Sequence, residues 1–378
     1  MLTAAQRTEP ITIIESGIVY RNPKPYLRAI HTWHPSIAQL ADGTLVACFD
    51  LGQAVEALDY RTYCSRSIDG GRTWSEPRRV IAADHPTAPH LSTHSLRISR
   101  PGNSGELVGF GEFYYRDNPE QGQVNRDNLG IVPTQLFLVR SHDGGVTWQP
   151  PELIEAPLVG PGFEICHAIV ELTDGRWLAP TSTWRGWHGD QPNGTKAIAL
   201  VSEDRGRTWP YSIDVMDHTH RQVITWEQSL VQMGDGRLVS VAWLFDEKTS
   251  RTEPTQYAVS LDGRSFEPSR LNGLRGQTAK LLRLPDDRLL CLYRRDDKPG
   301  MWAHVARVQG QEWIGIGDTV LWTGAASGMT GQGNSSDELS ALRFGFPSMT
   351  LLPDGQIMAL IWCEEDSVNN IRWFRIKV

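Results

Sequence analysis

The sequence predicts an all-β fold, a six-bladed β-propeller of four-stranded antiparallel blades. Two repeated turn motifs and an unusual composition lead to this prediction. The 378 residues include 35 glycines, 23 prolines and 14 tryptophans, which indicates many turns and much aromatic packing. Because a propeller repeats one unit around a ring, the spacing of the motifs distinguishes it from an ordinary β-sandwich.

The first motif is an apolar run, a turn around Asp-Gly, and a second apolar run. A tight turn between two strands needs a residue that tolerates positive φ, and Gly, Asp and Asn do so. The copies turn at positions 43, 105, 175, 236, 287 and 355, of which the copy at 105 is the loosest. Six copies at intervals of roughly sixty residues predict six blades.

The second motif reads Ser-x-Asp-x-Gly-x-x-Trp. It occurs in full at residues 67–74, 141–148 and 202–209, and in degraded form at 260–266. Each copy follows an Asp-Gly turn, as a turn between the third and fourth strands of a blade should. We therefore expect a single propeller domain over residues 1–378. We also expect the N-terminal strand, at 11–20, to close the ring by pairing with the C-terminal strand, at 371–378.

Charge and hydropathy argue against several classes of protein. Lys and Arg number 37 against 44 Asp and Glu, a formal net charge of −7, which argues against a nucleic-acid or membrane-surface partner. No apolar run approaches the ~18 residues of a membrane span, and no signal-peptide pattern is visible, so a cytoplasmic location is expected. The five cysteines lack CxxC spacing, which indicates free thiols.

The Ser-x-Asp-x-Gly-x-x-Trp turns resemble the Asp-boxes of the sialidase (neuraminidase) superfamily, six-bladed propellers that mostly act on glycans. The resemblance covers essentially the whole chain. It implies a carbohydrate-active protein with a small glycan substrate, and we expect no cofactor.

If both kinds of turn lie on one face, strand direction places the first-strand starts and the long second-to-third loops on the opposite face. Long loops on one end of a scaffold usually carry the function.

The first strands line the central channel, so their starts hold the candidate site residues. Glu227 falls where the resemblance implies a catalytic Glu, and Asp59, or with less support Asp50, falls where it implies the acid/base. We expect Glu227 and Asp59 to form a carboxylate pair, with His34 and His167 orienting substrate or sharing acid/base work. The substrate-binding candidates are Arg185, Arg221, Arg275, Arg343, His94, Gln277, Trp33, Trp184 and Trp226.

Other parts of the superfamily's catalytic set do not match. Thr-Trp-His-Pro at 32–35 stands where the first substrate-binding arginine belongs, and Trp-Leu-Phe at 243–245 where the second belongs. The last blade opens with Arg-Phe-Gly-Phe-Pro at 343–347, and no tyrosine follows Tyr293 to act as nucleophile. His or Leu cannot replace a bidentate guanidinium on a carboxylate. We therefore expect an altered site rather than ordinary sialidase activity.

Three functions stay open at this point. The leading one is hydrolysis of a glycosidic bond of an acidic or neutral sugar. The second is elimination on a uronic acid with a His as base, which is favoured because nine of the eleven histidines fall in segments of the long-loop face. The third is a non-catalytic glycan-binding propeller. His31-x-x-His34 and His218-x-His220 have metal-ligand spacing, but such pairs recur by chance in strands, so we expect no metal.

Overall fold

Twenty-five strands in the described residues form six antiparallel sheets, each one blade of a β-propeller. The computed structural model describes residues 11–81, 91–103, 105–160, 163–165, 167–325 and 341–378. Besides strands, these residues hold two one-turn 3-10 segments, Pro101–Asn103 and Thr219–Arg221. The predicted all-β, six-bladed fold with four-stranded blades is confirmed. None of the helical segments in the described ranges is long and apolar enough to cross a bilayer.

The N-terminal strand β1 (Thr12–Arg21) precedes the first complete blade. That blade contains β2 (His31–Gln39), β3 (Leu45–Gly52), β4 (Arg61–Ser67) and β5 (Arg78–Arg79). The second contains β6 (Leu91–Ser99), β7 (Leu107–Tyr115), β8 (Thr134–Ser141) and β9 (Glu152–Leu153). The third has an interrupted inner strand, β10 (Phe163–Ile165) and β11 (Val170–Glu171), followed by β12 (Trp177–Thr183), β13 (Ala197–Ser202) and β14 (Tyr211–Met216).

The remaining blades repeat the same order from the channel outward. The fourth contains β15 (Val223–Gln232), β16 (Leu238–Asp246), β17 (Arg251–Ser260) and β18 (Arg270–Leu271). The fifth contains β19 (Gly276–Arg283), β20 (Leu289–Arg295), β21 (Met301–Gln309) and β22 (Glu312–Trp322). The sixth contains β23 (Phe344–Leu351), β24 (Ile357–Glu365) and β25 (Val368–Lys377), with β1 as its outermost strand.

The first and last strands of the described residues pair in the sixth blade. Strand β1 pairs antiparallel with β25, from Thr12 opposite Lys377 to Arg21 opposite Asn370. Gly17 lies opposite Trp373, and its missing side chain leaves room for the indole, because a Cβ there would come within 2.7 Å of Trp373 Nε1. The pairing covers the edge of β25 that would otherwise be open.

The predicted turns have the hydrogen bonds that their residues imply. In the first Ser-x-Asp-x-Gly-x-x-Trp turn, the Asp69 carboxylate accepts the Thr73 backbone N–H at 2.9 Å and the Thr73 hydroxyl at 2.6 Å. These bonds hold the pKa of Asp69 below its usual range. The Trp74 indole donates to the Gly71 carbonyl at 2.9 Å. Each of these turns therefore fixes the path of the chain from the third to the fourth strand of its blade.

A bulge interrupts the innermost strand in five of the six blades. Pairing with the second strand shifts register just past Trp33, His94, Trp226, Gln277 and Gly345. The residue at each bulge has positive φ although none is glycine: 47° at His34, 59° at Ser95, 48° at Glu227, 52° at Thr278 and 44° at Phe346. Bulges redirect side chains, and these five lie around the central channel.

Hydrophobic clusters fill the spaces between neighbouring blades. One joins the first and second blades through Cys48, Cys64, Leu96 and Phe137. The four described cysteines, Cys48, Cys64, Cys291 and Cys363, are buried free thiols, whereas Cys166 lies outside the described residues. The blades thus pack face to face around the ring and hold the inner strands in place.

Replacing Gly17 by Val should weaken ring closure, because the added side chain collides with the Trp373 indole. We expect a loss of about 1–3 kcal/mol in the free energy of unfolding, measured by urea denaturation. Gly105→Val is the matched control, since nothing lies within 4 Å of a Cβ at that position. Equal stability of the two variants would contradict the role assigned to the β1–β25 pairing.

Candidate functional site

The central channel widens into a cavity of about 140 Å³ on the face opposite the Asp-Gly turns. Every blade contributes to its wall, and the bulged inner strands supply much of it. The lining residues with polar or aromatic side chains are Trp33, His34, Glu56, His94, Ser95, Tyr114, Gln123, Glu164, Trp184, Trp226, Glu227, Trp243, Arg294 and Phe346. This cavity is the candidate functional site.

Three tryptophans form a stack along one side of the cavity. The Trp184 and Trp226 rings are 4.8 Å apart and nearly parallel, at 13°. The Trp226 and Trp243 rings are 4.3 Å apart at 32°. The Trp184 indole N–H donates to the Leu129 carbonyl at 2.7 Å, which fixes the outer member. Because Trp226 lies between the other two rings, the stack forms a rigid apolar wall on this side of the cavity.

Glu227 is a buried carboxyl on the cavity wall. Its side chain is 6 % exposed, and its Oε2 is buried with no hydrogen-bond partner among the described residues. Burial raises the pKa of Glu227, while the charges of Lys280 and Arg294 oppose that rise. The Glu227 backbone N–H donates to Oε2 of Glu164 at 3.1 Å, so a second carboxylate lies beside it. Glu227 can therefore keep a proton to higher pH than an exposed glutamate.

His34 is held by a buried carboxylate from the neighbouring strand. Its Nδ1 lies 2.9 Å from Asp50 Oδ2, and Asp50 also accepts the Thr62 hydroxyl at 2.6 Å and the Ser95 N–H at 2.9 Å. Burial, followed by the charge of Arg97, lowers the pKa of His34 well below its usual range. Burial raises the pKa of Asp50 to about 6. His34 is thus a neutral imidazole that donates Nδ1–H and keeps its lone pair on Nε2.

His94 lies next to this pair and is fixed by aromatic contacts. Its ring stacks on Tyr60 at 4.6 Å and 8° and meets Tyr114 edge-on at 5.0 Å. Its Nε2 contacts the Gln123 side-chain amide, and burial lowers the pKa of His94 to about 3. The Tyr114 hydroxyl donates to Glu112 Oε2 at 2.7 Å. This side of the cavity is therefore a connected polar network.

Six of the predicted site residues line this cavity: Glu227, His34, His94, Trp33, Trp184 and Trp226. Gln277 is fully buried and accepts the Nε–H of Arg294 at 3.0 Å, so it positions a residue that lines the cavity. Asp59 is an exposed loop residue that accepts the Gln53 N–H at 3.0 Å, and it does not line the cavity. The structure therefore does not bring Asp59 and Glu227 together.

His167 lies farther along the channel, toward the face with the Asp-Gly turns. It lines a separate space of about 750 Å³ with Arg97 and Lys280, and its Nδ1 donates to the Ala168 carbonyl at 2.9 Å. Burial lowers the pKa of His167 to about 4. His34 and His167 therefore lie in different parts of the channel.

The four predicted arginines lie outside the cavity and pair with acidic side chains. The N–O distances are 2.7 Å for Arg185–Glu247, 2.6 Å for Arg221–Glu253, 3.4 Å for Arg275–Asp296 and 3.7 Å for Arg343–Glu364. Instead, Arg294 lines the cavity, and its Nη1 donates to the Phe344 carbonyl at 3.1 Å. The cavity therefore contains the guanidinium of Arg294, which was not among the arginines predicted from the sequence.

Sequence reasoning missed several residues of the site for an identifiable reason. Glu112 and Arg294 lie opposite His94 and Gln277 on the second strands of their blades, just as Asp50, the second choice for the acid/base, lies opposite Trp33. Pairing each first-strand candidate with its partner across the Asp-Gly turn would have found both missed residues. Glu164 belongs to the short strand β10 and Glu56 to a loop, and no motif marks either.

Glu227→Gln should stabilise the protein at about pH 8 and have little effect near pH 4. Because burial raises the pKa of Glu227 above 4.5, the folded state disfavours the ionised carboxylate. Wild-type stability should therefore fall as pH rises from 4.5 toward that raised pKa, and the neutral amide removes this loss. Urea unfolding across this pH range measures the difference, with the exposed Glu312→Gln as control. A destabilised Glu227→Gln at alkaline pH would contradict the assignment.

Comparisons with known proteins agree with this architecture. A sialidase of Micromonospora viridifaciens is 26% identical over 250 residues, which are 62% of this chain and 35% of that protein. The match thus spans about a third of the relative's length. No family model matches the sequence.

Solved structures show the same fold over nearly the whole chain. A protein of unknown function from Dyadobacter fermentans superposes with a TM-score of 0.74 at 21% identity, covering 97% of this chain and 99% of that one. The NanB sialidase of Streptococcus pneumoniae, as its K499G mutant, superposes with a TM-score of 0.68 at 12% identity, covering 95% and 70%. The expected resemblance is confirmed at the level of the fold: the chain is a sialidase-like six-bladed β-propeller.

Proposed function

We propose that the protein hydrolyses a glycosidic bond of a small acidic or neutral glycan in the central cavity. The observation that carries the proposal is the position of Glu227: a buried carboxyl with a raised pKa, beside a second carboxylate, on the wall of a cavity flanked by stacked tryptophans. The sialidase-like fold supports a carbohydrate-active protein. Fold alone does not specify a reaction, so the proposed reaction depends on these side chains.

Substrate binding in this proposal begins with the tryptophans. A pyranose ring packs its C–H groups against the apolar wall formed by Trp184 and Trp226, because burial of apolar surface is favourable. His34 Nε2 and the Gln123 amide bind ring hydroxyls. Arg294 supplies positive charge for an acidic substituent. This arrangement differs from a carboxylate held by three arginines, and it accommodates neutral as well as acidic sugars.

Glu227 acts as the general acid. It gives its proton to the glycosidic oxygen as the bond to the anomeric carbon breaks, and the leaving group departs as an alcohol. Water adds to the anomeric carbon, and Glu164 takes the proton released by that water. Glu164 thus replaces Asp59 as the second carboxylate of the pair, because Asp59 is exposed and outside the cavity.

Elimination on a uronic acid is the second candidate function. The observation that favours it is the neutral, Asp50-bound His34 in the same cavity as Arg294. In that reaction His34 Nε2 removes the proton α to the carboxylate, and Arg294 neutralises the carboxylate. The β C–O bond breaks, a C=C double bond forms, and the leaving oxygen takes up a proton from water and departs as an alcohol. The product is an unsaturated sugar that absorbs in the ultraviolet, whereas hydrolysis gives saturated products only.

The test is a turnover screen of the full chain against sialosides, other aryl glycosides and uronate-ended oligosaccharides. Both reducing ends and ultraviolet absorbance are measured. We expect reducing ends without absorbance, and a fall in kcat of about 10²–10⁴-fold in Glu227→Gln, the usual contribution of a general acid. Asp59→Asn is the matched control and should stay within a few-fold of the wild type.

The other outcomes separate the alternatives. Absorbance that is lost in His34→Ala and retained in Glu227→Gln would replace hydrolysis by elimination. Glycan binding without turnover on any substrate would favour a binding propeller. Equal losses in Asp59→Asn and Glu227→Gln would restore the original carboxylate pair and contradict the role given to Glu164.

A further inference from the structure

We propose that His34, Asp50 and His94 form a binding site for a divalent transition-metal ion, with Zn²⁺ as the reference ion. Their possible ligand atoms all lie within 4.8 Å of one another. The side chains come from three strands, β2, β3 and β6, and are 7 %, 0 % and 2 % exposed. Two imidazoles and one carboxylate are a donor set for Zn²⁺ and its first-row neighbours.

The side chains of His34 and Asp50 are already about as close together as two ligands of one metal ion. His34 Nδ1 and Asp50 Oδ2 are 2.9 Å apart. Two ligands that each lie about 2.1 Å from Zn²⁺ are separated by roughly 3.0–3.4 Å at right-angled to tetrahedral geometry. An ion can therefore replace the hydrogen bond with a small movement of these two side chains.

His94 provides an independent observation. Its Nδ1 is buried and has no hydrogen-bond partner among the described residues, while its Nε2 contacts Gln123. A buried ring nitrogen without a partner is costly, and a cation would supply that partner. The Tyr60 ring stacked on His94 keeps the imidazole in this orientation.

The surrounding hydrogen bonds resemble the outer shell of a metal site. Asp50 accepts the Thr62 hydroxyl and the Ser95 N–H, and Gln123 contacts the far nitrogen of His94. Outer groups of this kind orient metal ligands. Arg97 and Lys280 place positive charge near His34, so binding depends on the negative charge of Asp50.

Ion binding changes the tautomers of His34 and His94, each of which then carries its proton on Nε2, and no other covalent bond. The proton leaves Nδ1, whose lone pair binds the ion, and Nε2 takes up a proton. His34 would then present an N–H to the cavity it lines. Three protein ligands leave at least one position on Zn²⁺ open. The inference stands apart from the proposed hydrolysis, because it concerns binding by the protein alone.

Of the two histidine pairs with metal-ligand spacing in the sequence, only His34 belongs to this site. His31 Nδ1 contacts the Tyr60 hydroxyl, and His218 Nε2 contacts the Ser269 hydroxyl at 3.0 Å. The proposed ligands instead meet across two blades, and only the folded ring brings them together. We expected no metal from the sequence because only the spacing of histidines along the chain was considered there.

The experiment titrates the chelator-treated full chain with ZnCl₂ by calorimetry and with CoCl₂ by visible absorption, in the absence of any glycan. We expect one ion per chain, and affinity about 100-fold weaker or worse in His94→Gln. The matched control is His304→Gln. His304 forms a similar pair, with Nδ1 2.7 Å from Asp318 Oδ1, but belongs to no three-ligand cluster among the described residues, so this variant should bind like the wild type.

The proposal is overturned if wild-type protein binds no Zn²⁺ at millimolar concentration, if His94→Gln binds with wild-type affinity, or if the Co²⁺ spectrum is unchanged by that variant. Circular dichroism and thermal unfolding check that His94→Gln is folded. Should it not fold, Asp50→Asn and His34→Gln provide the same test. Because no substrate is present, failure of metal binding and failure of hydrolysis are separate results.

Discussion

The site depends on one backbone constraint, the bulge in the innermost strand of five blades. In a regular strand, successive side chains point to opposite faces. At the bulge this alternation breaks, so neighbours such as Trp33 and His34, or Trp226 and Glu227, both line the cavity. Positive φ at a residue other than glycine costs about 1–3 kcal/mol. Packing between blades offsets that cost and lets a narrow channel hold both aromatic and titratable groups.

The same packing determines the charge state of those groups. Burial raises the pKa of Glu227 and Asp50 and lowers the pKa of His34 and His94. All four shifts favour the uncharged form, because the surrounding blades exclude water. The positive charges of Arg294 and Lys280 oppose the shift of Glu227. A carboxyl with a raised pKa and an imidazole with a lowered pKa, in one cavity, are groups suited to proton transfer to and from a sugar.

Local sequence signals predicted the fold because turn chemistry is local. Asp-Gly and Ser-x-Asp-x-Gly-x-x-Trp turns depend on residues a few positions apart, and they identify the blades and the starts of the first strands. The site was predicted in part: Glu227, His34 and the tryptophans lie where strand direction places them. Asp59 was placed by the family resemblance, which specifies only a loop, and Glu56 of the same loop lines the cavity instead. Arg294 lies opposite Gln277 on the next strand of the same blade, so finding it requires the strand register and not a turn motif alone.

The most direct measurement is a crystal structure of the Glu227→Gln variant with a bound glycan identified by the turnover screen. We expect a sugar ring against Trp184 and Trp226, with the glycosidic oxygen within about 2.6–3.2 Å of the side chain at position 227 and Glu164 near the anomeric carbon. A glycan bound only outside the central cavity, at Arg185 or Arg343, would contradict the proposed site.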